Sequence, residues 1–215
     1  MPSIDDPSFA PPSALSMPAG MSPTRQKGNA YLGDVPWLDG AVRGGFSPAV
    51  AALPDAGSRT FFAQRFRPSE WYDAYPGALL ELTAARLRGV PFARHRRETG
   101  HYHAEHAARG IYGALLRMVS NESVALWGPR IATLYFEFGK TETKTVGDAH
   151  VIATRSGVPR DLVQWNAYVM QAFAERTLAL AGARDPVCSL GEVIVERQIG
   201  GREVCSFALE MRWRR

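Results

Sequence analysis

At 215 residues, with 46% apolar and 21% charged side chains, the chain is long enough for one domain of ordinary size with a real core. The longest apolar runs, such as Ile111–Val119, are broken by glycine and arginine and fall well short of a membrane span, and no basic flank leads an apolar core at the N-terminus as a secretory signal would. Two cysteines exclude a disulfide framework and point to a reducing, cytoplasmic setting, while the net charge of +4 requires that nucleic acid be considered as a partner.

Residues 1–28 are rich in Pro, Ser, Ala and Gly. Such a segment buries little apolar surface to offset its ordering entropy, so a disordered tail is expected, followed by a single α+β domain over residues 29–215. Ser47-Pro48 starts a short helix running to about Leu53, and Arg59–Phe66 forms another. The aromatic cluster Glu70-Trp71-Tyr72 precedes Tyr75-Pro76, and a helix from Gly77 to about Leu87 ends at Gly89. Between His101 and Val119, Ala104, Ala108, Ile111, Leu115 and Val119 recur at helical steps, with Asn121 and Glu122 at the end.

Then the period changes. Ala132, Leu134, Phe136 and Phe138 alternate with Ile131, Thr133 and Tyr135, which predicts a strand over Ile131–Phe138. Gly139 turns the chain toward a second strand at roughly Lys144–Thr154. Gly157-Val158-Pro159 opens the longest helix, with Leu162, Trp165, Val169, Phe173 and Leu180 on one face and Gly182 and Pro186 after it. Glu192–Ile199, Gly200-Gly201 and Glu203–Trp213 read as a hairpin. Its second strand carries Cys205, Phe207, Leu209, Met211 and Trp213 on one face. The order predicts an α+β fold: N-terminal helices packed on an antiparallel sheet of about four strands, with a long helix between two hairpins.

Chemistry is sparse. No phosphate loop or nucleophile elbow is present, and no acid, base and nucleophile set has a defensible spacing. His95, His101, His103 and His106 lie near Glu98 and Glu105, yet at about 100° per residue His101 points away from the other two helical histidines, so no metal site is expected. Arg94-His95-Arg96-Arg97 is the densest basic run, without a zinc finger, RNA signature or basic helix, and reads as a solvated face; no nucleic-acid partner is expected. Cys188 and Cys205 stand about 25 Å apart along the terminal ladder at roughly 3.3 Å per residue, too far for a disulfide. Trp71, Tyr72, Tyr112, Trp165, Tyr168 and Phe173 either line an apolar pocket or pack as core.

From about Gly45 onward the chain resembles a bacterial family related to four-vinyl-reductase domains. The matching features are Ala51-Ala52-Leu53-Pro54, Trp71-Tyr72, Tyr135-Phe136-Glu137-Phe138-Gly139, Gly157-Val158-Pro159, Leu178-Ala179-Leu180-Ala181-Gly182-Ala183, and a terminal hairpin with Gly201, Cys205 and Trp213. The wider superfamily includes haem nitric-oxide sensors and Golgi transport-complex subunits. The resemblance implies a homodimer and a small hydrophobic molecule or acyl chain held between helices and sheet. It places Cys205 among the pocket candidates, with Cys188 as counterpart of a second family cysteine. No histidine matches the haem-ligating one, so no cofactor is expected. Three readings follow: a non-catalytic binding or scaffold domain with an apolar pocket between Pro159–Ala181 and the sheet; an adaptor using residues 1–28; and an enzyme placing His101, Arg117 or Cys205 beside the pocket.

Overall fold

In the computed structural model, which describes residues 2–109, 116, 118–199 and 202–214, the terminal hairpin supplies the two longest strands of the main sheet. β1 (Arg25–Lys27) and β2 (Trp71–Asp73) form a small antiparallel pair. The main sheet contains β3 (Lys140–Gly147), β4 (His150–Pro159), β5 (Arg184–Ile199) and β6 (Arg202–Arg214), all antiparallel in the order β3-β4-β6-β5. The helices are α1 (Gly28–Ala41), α2 (Phe46–Ala51), α3 (Ala56–Phe61), α4 (Tyr75–Arg88), α5 (Phe92–Ala107), α6 (Asn121–Tyr135) and α7 (Val163–Leu180). The α+β architecture, with a long helix between two hairpins, agrees with the alternation of β6, while α7 is buried on more than one side, against the sheet through Ala174 and Leu178 and against α5 beside Gly100. Ile199 pairs with Arg202, while Gly200 and Gly201 lie outside the described residues.

Four local expectations are corrected. Residues 131–135 belong to α6 rather than a strand, and Phe136 makes only an isolated bridge to Gln26. Ser120 decides this by accepting a bond from Ser123 N, so Asn121 opens a helix instead of ending one. A dense apolar run satisfies both periods, and the cap is the better discriminator. The stretch predicted as one strand at Lys144–Thr154 is a hairpin turning at Asp148-Ala149, where Ala149 adopts φ 53°. Gly157-Val158-Pro159 does not start the long helix: Val158 and Pro159 complete β4 opposite Cys205 and Val204, and a 3-10 turn at Arg160–Leu162 leads into α7. The helical face drawn through Ile111 and Leu115 lies outside the described residues, and α5 itself runs from Phe92 to Ala107.

The expected disordered tail is the fourth correction. Residues 2–24 follow a packed path, with Ile4 and Phe9 buried among Val163, Ala167, Tyr168 and Phe207. Gln164 Nε2 donates to Ile4 O at 2.9 Å and Asp6 O at 3.0 Å, and Tyr168 Oη donates to Asp5 at 2.6 Å. Burying a phenylalanine contributes about 1.5–3 kcal/mol, and the prolines lower the entropy lost on ordering. Composition counted the prolines against order but missed their two apolar anchors.

One face of the sheet packs on α6 and α7. Val151, Ala153, Leu209, Met211 and Trp213 meet Ala174, Leu178, Val124 and Ala125, while a separate aromatic cluster of Tyr31, Phe61, Phe62 and Phe66 with Leu79 and Leu80 holds the N-terminal helices together. Both cysteines are buried free thiols, Cys188 opposite Met211 and Cys205 opposite Val195. Burial pushes the Cys188 thiol up to about 12 and that of Cys205 up to about 11. Neither is expected to react with Ellman's reagent in the native protein at about pH 8, whereas both should react once guanidinium unfolds it. A rapidly reacting native thiol would contradict this burial.

Candidate functional site

Four helices converge beside the sheet and leave a cavity of about 330 Å³. Each contributes one stripe at helical spacing. α1 supplies Ala30, Leu32, Gly33 and Asp34; α5 supplies Arg96, His103, His106 and Ala107. α6 supplies Gly128, Pro129, Ile131, Ala132 and Tyr135, and α7 supplies Trp165, Val169, Met170, Phe173 and Ala174. The cavity is therefore bounded by helices rather than by α7 and the sheet, which among the described residues reaches it only through Leu209 of β6 and, from the smaller sheet, Gln26 of β1.

Two close approaches set its width. A Cβ on Gly100 would stand 2.6 Å from the Val169 carbonyl oxygen, so glycine lets α5 lie directly against α7. A Cβ on Gly33 would stand 2.7 Å from His103 Cε1, so its absence lets the imidazole reach α1. There His103 Nε2 meets Asp34 Oδ1 at 2.9 Å. Burial raises the Asp34 carboxyl above its ordinary pKa, the Glu81 charge adds to this, and His103 and Arg96 oppose it.

Behind the cavity wall lies a buried polar network. Glu81 on α4 is fully buried, and its Oε2 takes bonds from His95 Nε2 at 2.6 Å and Thr99 Oγ1 at 3.2 Å, with Arg96 Nη1 at 3.1 Å. Arg88 can only donate, so its 2.8 Å contact makes His95 Nδ1 the acceptor and leaves the ring proton on Nε2, facing Glu81. Arg88 also binds Glu98 at 2.5 Å. Burial alone would raise the Glu81 carboxyl, but Arg96 and His95 outweigh it and hold it down at about 2. Arg96 links the network to the cavity: Nε donates to the Trp165 carbonyl at 3.2 Å, and the guanidinium lies 5.2 Å from the Trp165 ring centroid.

Of the residues expected to line a pocket, Trp165 and Phe173 line this cavity. Trp71 pairs in β2 under Lys27, and the Tyr72 hydroxyl bonds to Arg67 N and Glu70. Tyr168 packs against the N-terminal segment, Cys205 lies in the core between sheet and α7, and Tyr112 falls outside the described residues. His101 is exposed and Arg117 lies outside the described residues, so among the described residues none of the groups that the enzymatic reading requires stands beside the cavity. The sequence reading missed Asp34, Glu81 and the cavity-facing role of Arg96. The signal available was the spacing Arg96, Gly100, His103, Ala107 on one helical face, which counting histidines as metal ligands obscured.

No family model matches the sequence, and no curated protein matches it. By structure the chain is similar to H-NOX domains. A Cs H-NOX mutant carrying 4-cyano-L-phenylalanine superposes with a TM-score of 0.61 at 9% identity, covering 88% of this chain and 97% of that one. An Fe(II) unliganded mutant H-NOX protein from K. algicida gives 0.58 at 11% identity, covering 88% and 97%. An oxygen-binding H-NOX domain related to soluble guanylate cyclases gives 0.52 at 11%, covering 87% and 90%. At such identities the likeness establishes the fold.

Proposed function

We propose that this chain is a non-catalytic binding domain whose cavity between α1, α5, α6 and α7 receives a small, mostly apolar molecule. The carrying observation is the cavity itself. Its volume of about 330 Å³ lies at the lower end of the usual range for ligand sites, and aliphatic and aromatic side chains dominate its wall. A kinship with four-vinyl-reductase domains and a homodimeric state belong to the same proposal and rest on the resemblance of residues 45–215.

Haem is the group that the H-NOX likeness brings to mind, since one neighbour concerns haem redox potential and porphyrin distortion. The described residues do not fit it. A haem iron needs an axial ligand such as imidazole. His103 pairs Nε2 with Asp34 and lays its Nδ1–Cε1 edge against Gly33 of α1, and His106 is exposed at the rim, stacked on Tyr102 with ring centroids 6.0 Å apart. Arg96, the one arginine among the described lining residues, is already paired with Glu81.

Nile red, an uncharged dye that brightens in apolar surroundings, tests the reading. Saturable enhancement is expected with the wild-type chain and its loss with Val169→Phe, which places an aromatic ring in the space. Equal enhancement by both proteins would sink the proposal.

A further inference from the structure

The two edges of the main sheet differ. β5 is the outer strand on one side, and its edge is obstructed. Val193 N donates to Pro2 O of the N-terminal segment at 3.2 Å, and Pro186 has no N–H to offer. Register shifts also interrupt β5 between Arg184 and Val187, Leu190 and Val193, and Val195 and Arg197. β3 is the outer strand on the other side. It pairs with β4 without interruption from Lys140 to Thr145, and among the described residues no strand lies beyond it. An edge of this kind presents backbone donors and acceptors that a further strand can pair with.

The side chains of β3 alternate in chemistry as well as in facing. Thr141 and Thr143 turn toward the helices: Thr141 Oγ1 accepts from Arg155 Nη1 at 3.1 Å, and Thr143 Oγ1 donates to the Leu126 carbonyl of α6 at 3.2 Å. Lys140, Glu142 and Lys144 share the opposite face, and all three are exposed. Their neighbours on β4 are Ser156, Thr154 and Ile152, so these charges find no opposite charge across the strand pair. Edge lysines alone would repel an incoming copy, but here a glutamate stands between them.

The pattern is complementary to itself in one register. With two antiparallel β3 strands related by a two-fold axis at Thr143, Glu142 of each copy lies opposite Lys144 of the other, Thr141 opposite Thr145, and Lys140 opposite Val146. An axis at Glu142 sets that carboxylate against its own copy and Lys140 against Lys144, and an axis at Lys144 sets lysine against lysine. An axis at Thr141 again joins Lys140 to Glu142 but leaves β3 beyond Glu142 without a strand partner. The axis at Thr143 runs normal to the sheet, so both helical layers stay on one side. Strands lie about 4.8 Å apart and a helix is about 10 Å across, so α6, which covers β3, comes to lie against its copy. Its exposed Trp127 and Leu134, seven residues apart on one helical face, add apolar area to the strand pairing.

Building on the homodimeric reading above, we infer that two copies of this chain join through β3, making one continuous antiparallel sheet whose register is set by the reciprocal Glu142–Lys144 pairs.

Sedimentation equilibrium of the full chain tests this surface. The wild type is expected to dimerise. Glu142→Lys sets lysine against Lys144 of the other copy in both symmetric pairs, and Lys144→Glu sets glutamate against Glu142; each should weaken the dimer about tenfold. Both positions are exposed, so the unfolding midpoint of each variant, measured on the monomer, should match the wild type. Mixing the two single variants in equal amounts restores opposite charges in every pair and should return wild-type association, as should the double exchange Glu142→Lys with Lys144→Glu. A dimer indifferent to the single exchanges, or weakened by them and not restored by mixing, would overturn this interface while leaving the homodimer standing. A wild type that stays monomeric at millimolar concentration would overturn both, and Nile red judges the cavity separately.

Discussion

Replacing Glu81 with glutamine is expected to lower the unfolding free energy by about 3–5 kcal/mol, the range for removing one partner from a buried ion pair. The side chain keeps its shape and an acceptor oxygen, so the loss isolates charge rather than packing. Arg96, 3% exposed, would retain its guanidinium among Trp165 and α7 with no counter-ion at 3.1 Å. The Glu81 Oε1 atom has no hydrogen-bond partner, so the wild-type carboxylate owes its stability to the side that faces His95, Arg96 and Thr99. The pH dependence gives a second reading of the same group. Its folded pKa, about 2, lies below its ordinary value of 4.5, so its contribution is present above 4.5 and is lost as pH falls toward 2. The wild type and Glu81→Gln should therefore converge in stability over that window. Asp34 runs in the opposite sense: its raised pKa favours the folded state when protonated, so its term falls as pH rises through the folded value. Urea unfolding at neutral pH and at several acidic values measures both. A neutral-pH loss under about 1 kcal/mol, or a difference that does not change with pH, would show that the network is not stabilising through charge.

Local pattern was enough to read the terminal hairpin and α7, because each carries a complete period within one segment. β6 alternates from Cys205 to Trp213, and α7 repeats Trp165, Val169 and Phe173 along one face. Local pattern was not enough for residues 131–135. There Ile131, Ala132, Leu134 and Tyr135 satisfy strand and helix alike, and the deciding bond is made at Ser120, outside the window. The helix α1 was missed for a related reason: Pro36 and the glycines at 28, 33 and 40 argue against a helix, whereas Tyr31 and Leu38 bury themselves against α4 partners that no local window contains. The site is harder still. Asp34 and His103 are 69 residues apart, and Glu81 and His95 sit on different helices. Their pairing follows from how α1 and α4 pack against α5, and no spacing rule encodes it. Trp165 and Phe173 were found because they belong to a legible helix; Asp34 and Glu81 were not, because a single carboxylate in a sequence looks like solvated charge until the fold buries it.

Gly100 shows how a residue without a side chain shapes the cavity. In the middle of α5, glycine costs about 1 kcal/mol relative to alanine, so alanine should stabilise the chain if propensity were all that mattered. At Gly40 in α1, where an added Cβ meets nothing within 4 Å, that gain of about 0.5–1 kcal/mol is expected. At Gly100 the added carbon would stand 2.6 Å from the Val169 carbonyl oxygen, 2.9 Å from Ala172 Cβ and 3.1 Å from Phe173 N. Two of these are backbone atoms of α7 and cannot rotate away. The helices must part, and Gly100→Ala is expected to destabilise by about 1–3 kcal/mol despite its better propensity. Separation would also move Arg96 and His103 on α5 away from Val169 and Phe173 on α7, all four of which line the cavity. Nile red affinity should therefore fall in Gly100→Ala and stay unchanged in Gly40→Ala. Urea unfolding and dye titration on the same two variants decide the matter: equal stabilisation at both positions would mean that α5 and α7 do not lie this close, and that the cavity has a different width.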